Sequence, residues 1–150
     1  MRSLATIGYE QSGLADFIVA LTAAGVKQLI DVREVPISRK RGFSKRVLSE
    51  ALYAVGISYT HLRALGDPKP GREAARRGDQ AKFLRIYHAH LATADATEAL
   101  DEAEALAVTA LSCLMCFERD YLDCHRNLIA KALADRGEFE IQHLKVAKAA

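Results

Sequence analysis

Gln28-Leu29-Ile30-Asp31-Val32-Arg33 decides the fold. The run is apolar almost without a break until its last residues, where an acid and a base appear. A strand with one wet face alternates, whereas a continuous apolar run suits a strand covered on both faces, as in a parallel sheet between helices. Upstream, Leu4-Ala5-Thr6-Ile7-Gly8-Tyr9 reads as another strand. Ser12 then stands where a cap opens a helix carrying Leu14, Phe17, Ile18 and Leu21 on one face, with Gly25 as its stop. Downstream, a basic loop from Glu34 to Phe43 leads to Ser44, the cap of a helix with Val47, Leu48, Ala51, Leu52 and Val55, closed by Gly56.

Ile57 to Leu62 alternates and predicts a third strand. Gly66 to Gly78 is rich in Pro, Gly and charge without periodicity, so a loop or lid is expected there. Asp79 caps a helix with Phe83, Ile86, Tyr87 and Leu91, and an acidic helix follows from about Thr97 to Leu106. Val108 to Phe117 is the most apolar strand and is placed centrally. Asp123 is the expected cap of a helix with Leu128, Ile129, Ala132 and Leu133, ended by Gly137, and Phe139 to Val146 gives the last strand. This alternation implies βαβ units. The expectation is a single α/β domain over 1–150, with a mostly parallel central sheet of about five strands and helices on both faces.

Composition agrees with a globular domain: 50% of residues are hydrophobic, 27% are charged, and net charge is +2. The charge is unevenly spread, with six basic residues against Glu34 between Arg33 and Arg46, and five acids without a base between Asp95 and Glu104. No apolar run approaches the roughly 20 residues of a bilayer span, and no basic-then-apolar leader opens the sequence. A cytoplasmic protein without a membrane partner, its three cysteines reduced, is expected.

In open parallel sheets, ligands bind where strand carboxyl ends meet the following helix amino-termini. The unusual polar residues gather there: Asp31 and Arg33, Tyr59 and His61, Cys116 and Glu118, then Cys124-His125-Arg126, with His143 in the last strand. Cys124 in a helix first turn, beside His125 and Arg126, has the setting of a stabilised thiolate and is the candidate nucleophile or redox thiol. Asp31, Glu118 and His61 are candidate proton-handling groups; Asp31 equally suits orienting Arg33 or accepting backbone N–H bonds. Arg33, Arg39 and Arg126 suit an anion clamp, with Ser38, Tyr59, Cys116, His125 and His143 around the ligand. Cys113 and Cys116 resemble a metal-binding pair, but residues three apart on a strand face opposite ways, which makes Cys113 a core residue. Cys116, Cys124, His125, His61 and His143 are the groups from which a metal site across elements would be assembled; no regular ligand spacing supports one, and none is predicted.

Several motifs in order resemble domain-of-unknown-function family 488 over Thr6 to about Leu144: Thr6-Ile7-Gly8-Tyr9-Glu10, Asp31-Val32-Arg33 with Pro36, Ser38-Arg39 and Phe43, Tyr59-Thr60-His61-Leu62 with Leu65-Gly66, Leu114-Met115-Cys116-Phe117-Glu118, Cys124-His125-Arg126 and His143-Leu144. The resemblance implies an α/β domain and supplies no reaction or cofactor. Members commonly carry His where this chain has Tyr9. A second, looser resemblance is to rhodanese-type domains, through Leu29-Ile30-Asp31-Val32-Arg33-Glu34 and the strand–Cys–helix order; it implies sulfur transfer. The bulky, partly acidic Phe117-Glu118-Arg119-Asp120-Tyr121 departs from the anion-cradling loop of those enzymes.

The first functional expectation is therefore a pocket for a small anionic or nucleotide-like ligand, with cysteine chemistry as the candidate reaction. A second is a nucleic-acid-binding module using the basic loop and the Arg72–Arg85 region. Rhodanese-like sulfur transfer is a third, and a ligand sensor using the same pocket without chemistry a fourth.

Overall fold

A computed structural model of the chain describes residues 1–149. Five strands, β1 (Arg2–Gly8), β2 (Gln28–Asp31), β3 (Ser58–His61), β4 (Ser112–Cys116) and β5 (Phe139–His143), form one sheet in the order β3-β2-β4-β1-β5. Every neighbouring pair is parallel. Among the described residues the six helices are α1 (Leu14–Ala23), α2 (Lys45–Tyr53), α3 (Lys69–Arg76), α4 (Gln80–Leu91), α5 (Ala94–Thr109) and α6 (His125–Arg136). The expected α/β fold is thus present.

The strands β1, β2 and β4 divide their side chains between two cores. Ala5, Ile7, Leu29, Cys113 and Met115 pack with Phe17 and Leu21 of α1 and Leu48 and Leu52 of α2. Leu4, Ile30, Leu114 and Cys116 pack on the opposite face with residues of α3 to α6, among them Ala74, Tyr87, Ala103 and Ile129. The period of two along β4 sends Cys113 and Cys116 to different cores, as its sequence requires.

Several boundaries differ from those read in the sequence. Lys69–Arg76 is helical, and Arg63–Leu65 forms a 3-10 turn, where a loop is expected. Pro70 in the first turn costs that helix no hydrogen bond, and Gly71 and Ala74 supply its thin buried face. The α5 helix continues to Thr109, because Ala99, Ala103 and Ala107 keep a helical stripe against the core, so β4 begins only at Ser112. Gly13, not Ser12, is the N-cap of α1; Ser12 Oγ turns to the Glu10 carbonyl. Ser44 is the N-cap residue of α2, but its hydroxyl bonds the Ser38 backbone instead of the helix. The N-cap of α6 is Cys124, whose Sγ accepts from Arg126 N–H, and Asp123 ends the preceding 3-10 turn. Asp79 caps α4 as expected.

Candidate functional site

Asp31 ends β2 fully buried, and both its oxygens are engaged. Arg33 grips it through Nε at 2.9 Å and Nη2 at 2.8 Å, and Tyr59 donates its hydroxyl to Oδ2. Arg33 Nη1 donates to the Tyr9 hydroxyl (3.1 Å) and the Phe43 carbonyl (2.7 Å). The pair therefore ties the ends of β1, β2 and β3 to the following loop. Burial works against the Arg33 cation, but the bonds and charge of Asp31 outweigh it and hold the guanidinium more firmly protonated than usual. Burial, then the Asp31 charge, raises the Tyr59 phenol. Asp31 Oδ1 also accepts the Arg33 backbone N–H at 3.1 Å, so the geometry combines two of the roles open in the sequence: orienting Arg33 and accepting from the following turn. Tyr9 stacks on Phe43 and accepts from Arg33 Nη1.

Cys116, Cys124, His125 and Arg126 meet at the junction of β4 and α6. The two sulfurs are joined as a disulfide, with Cα atoms 7.4 Å apart, and Cys113 is the free, buried cysteine. The expectation of three reduced thiols is corrected accordingly: parallel pairing with β1 ends β4 beside the α6 amino-terminus. Both bonded residues are buried, Cys116 at 1% and Cys124 at 3% exposure. His125 Nε2 lies 2.7 Å from the Val32 carbonyl and Nδ1 lies 3.7 Å from Cys124 Sγ. A carbonyl only accepts, so the ring proton is on Nε2 and the Nδ1 lone pair faces the sulfur. Burial, with help from Arg126, lowers His125 to about 4 and keeps it neutral.

Arg126 is 1% exposed and donates only to neutral groups. They are Thr6 Oγ1 (3.2 Å), Cys116 Sγ (3.1 Å), and the Glu118 and Arg119 carbonyls. Among the described residues, no carboxylate forms an ion pair with it. Gly8 makes the approach possible: a Cβ there would lie 1.8 Å from the Glu118 carbonyl oxygen and 3.0 Å from Arg126 Nη1. Burial raises Glu118 above the usual carboxyl range while Arg126 pulls it down; its Oε2 is 3.5 Å from Cys116 Sγ.

Arg126 also lines a cleft of about 470 Å3 at the ends of β1, β4 and β5, together with Arg119, Lys145, His143, Tyr121 and Glu10. Glu10 is partly taken up by the Arg119 backbone N–H at 3.0 Å. Gln11, on the same wall, holds a φ of 63°, which non-glycine residues seldom adopt. His143 stacks flat on Tyr121 at 3.6 Å and meets Thr6 Oγ1 at 2.6 Å. Burial, then Arg126, lowers its pKa.

The remaining expected residues lie apart from this cleft. His61 Nε2 contacts the Arg33 carbonyl at 2.7 Å, and Ser38 Oγ accepts from the Lys40 N–H within its own loop. Arg39 is exposed on that loop. Arg33 is held by Asp31, so the three arginines do not form one clamp.

Asp67 is the group that sequence reading missed, because Leu65-Gly66-Asp67-Pro68 looks like loop punctuation. Its carboxyl is 5% exposed and Oδ1 has no hydrogen-bond partner. Burial pushes it up to about 7; Arg72 opposes, and the charges of Glu118 and Glu34 add to the rise. Gly71 leaves room for it, since a Cβ there would stand 2.1 Å from Oδ1.

The family model described as "Domain of unknown function DUF488" matches residues 13–133. The chain belongs to this family. The match includes Asp31, Arg33, Cys116 and Cys124-His125-Arg126, while the cleft residues Glu10, His143 and Lys145 lie outside it, a narrower span than the sequence motifs suggest. Neither a curated protein nor a solved structure matches the chain. The rhodanese resemblance finds no support: after Cys116 the loop turns its Glu118 and Arg119 carbonyls toward Arg126, where an anion cradle would present N–H groups. Among the described residues, no helix is long and apolar enough to cross a membrane.

Proposed function

We propose that this DUF488 domain binds a small oxyanion-bearing ligand, a phosphate or carboxylate compound, in the cleft between Arg126, Arg119, Lys145 and His143. Arg126 carries the reading. A buried cation without a counter-charge costs several kcal/mol, and hydrogen bonds from neutral oxygens and a sulfur compensate only part of that. An anion in the cleft supplies the missing charge. Inorganic phosphate and pyrophosphate, titrated calorimetrically at constant ionic strength, test the reading. Both exposed Lys145→Gln and half-buried His143→Gln weaken binding roughly threefold to tenfold. Absence of heat and of thermal stabilisation, or equal affinity in both variants and the wild type, rejects it.

Any cysteine chemistry at this site centres on Cys116 rather than Cys124. Arg126 Nη1 lies 3.1 Å from Cys116 Sγ, and a guanidinium so placed favours that thiolate once the pair is reduced. Mass mapping after brief iodoacetamide treatment of reduced protein checks this, with Cys116 labelled ahead of Cys124 and Cys113 protected.

Nucleic-acid binding is the second reading, favoured by one observation: Arg39, Arg41, Lys45 and Arg46 remain exposed along the loop into α2. Fluorescence anisotropy with a single-stranded oligonucleotide at two salt concentrations separates the readings. Loop binding weakens steeply with salt and is lost in Arg39→Gln/Arg41→Gln, which leaves phosphate binding in the cleft intact.

A further inference from the structure

Cys116, Cys124 and His125 present two sulfurs and a ring nitrogen within 4.8 Å of one another, buried at the sheet's carboxyl edge. We infer that the reduced form of this triad is a binding site for one soft divalent cation of the zinc type, held by three protein ligands with a fourth position open.

Three observations carry the inference. The first is the prepared nitrogen: His125 donates Nε2–H to the Val32 carbonyl, fixing the ring with its Nδ1 lone pair toward Cys124 Sγ. A metal-bound histidine is ordinarily held in this way, its second nitrogen donating to a carbonyl or carboxylate. The second is spacing. With zinc–sulfur bonds of about 2.3 Å and bonds to nitrogen or oxygen of about 2.0 Å, a tetrahedral site has sulfur–nitrogen and sulfur–oxygen edges of about 3.5–3.6 Å. Cys124 Sγ to His125 Nδ1 is 3.7 Å, and Cys116 Sγ lies within 4.8 Å of that nitrogen. The sulfur–sulfur edge needs about 3.8 Å, which the 7.4 Å separation of the two Cα atoms allows once the bond between the sulfurs is broken. The third is charge. Two thiolates offset the cation, so the filled site adds no net charge to a buried setting.

The site is gated by oxidation state, and the reaction balances with a dithiol as reductant. The dithiol gives two electrons and two protons, becoming a disulfide, and Cys116 and Cys124 become thiols. The cation then displaces two protons as both sulfurs bind it.

Cobalt(II) reads the site directly. Wild-type protein is reduced with a dithiol, freed of it by gel filtration under nitrogen, and titrated with Co2+. One equivalent is expected to produce sulfur-to-cobalt charge-transfer absorption with the intense visible bands of a tetrahedral ion, and Zn2+ is expected to bleach both. The same protein in its disulfide form gives neither band, and reduced Cys124→Ser binds at least about tenfold more weakly. Absence of the charge-transfer band in reduced wild type overturns the inference, as does an equal signal in both oxidation states or in Cys124→Ser. Should Cys124→Ser fail to fold, the oxidised wild type is the same test without a substitution. The phosphate titration of the cleft is independent of this result.

Discussion

At the scale of single residues, the protein holds charges it could shed. Asp67 is an acid whose folded form clings to its proton up to about pH 7, well above the usual 3.8. Between those values the folded state binds more protons than the unfolded chain, so stability falls as pH rises from about 4 to 7 and stays low above. Asp67→Asn removes that slope. It is expected to match the wild type near pH 5 and to exceed it at pH 8 by roughly 1–3 kcal/mol, read from urea midpoints at the two pH values. Asp31 is instead the hydrogen-bonded partner of a buried cation. Asp31→Asn leaves the Arg33 cation buried and unmatched, which costs about 3–5 kcal/mol by the same measurement. Tyr9→Phe, which deletes one hydrogen bond to that cation, costs about 1 kcal/mol.

At the scale of elements, what the sequence reveals follows from how complete each pattern is. The β2 and β4 strands are legible because both faces are buried and nothing polar interrupts them. The α3 helix is hidden because eight residues with a proline, a glycine and a buried alanine carry too little apolar stripe to show a period. The α5–β4 boundary is misplaced because Val108 and Leu111 suit either state locally, and only packing of Ala103 and Ala107 decides. The site is half legible for a related reason. Strand ends and the helix starts that follow them are predictable, so the positions of Asp31, Cys116 and Arg126 are legible; which partner each side chain chooses depends on loops crossing from other strands. Asp67 shows the limit, since its importance lies in a buried oxygen without a partner, and no spacing encodes that. Close approach between elements is equally silent until a side chain is added. Gly8→Ala pushes a methyl group into the Glu118 carbonyl and is expected to lower stability by about 1–3 kcal/mol and weaken phosphate binding, since β1 and the loop after β4 must separate. Thermal melts with and without phosphate check both effects.

For the whole molecule, two cores on opposite faces meet at a sheet whose middle is built from distant parts of the chain. Ala5 pairs with Cys113, and Leu4 with Ile141. As the chain is synthesised, residues 2–8 emerge early yet find no strand beside them until residues 112–116 follow, and their other flank stays open until residues 139–143. Such long-range closure is slow and leaves an apolar edge waiting. A nascent chain stalled after residue 110 has β2 and β3 available to pair, but β1 unsatisfied. Limited proteolysis of ribosome-bound chains is expected to show protection of β1 only after β4 has left the exit tunnel. The position of β1 in the sheet therefore makes the ribosome's pace, and whatever shields the waiting strand in the meantime, part of how this protein reaches its fold.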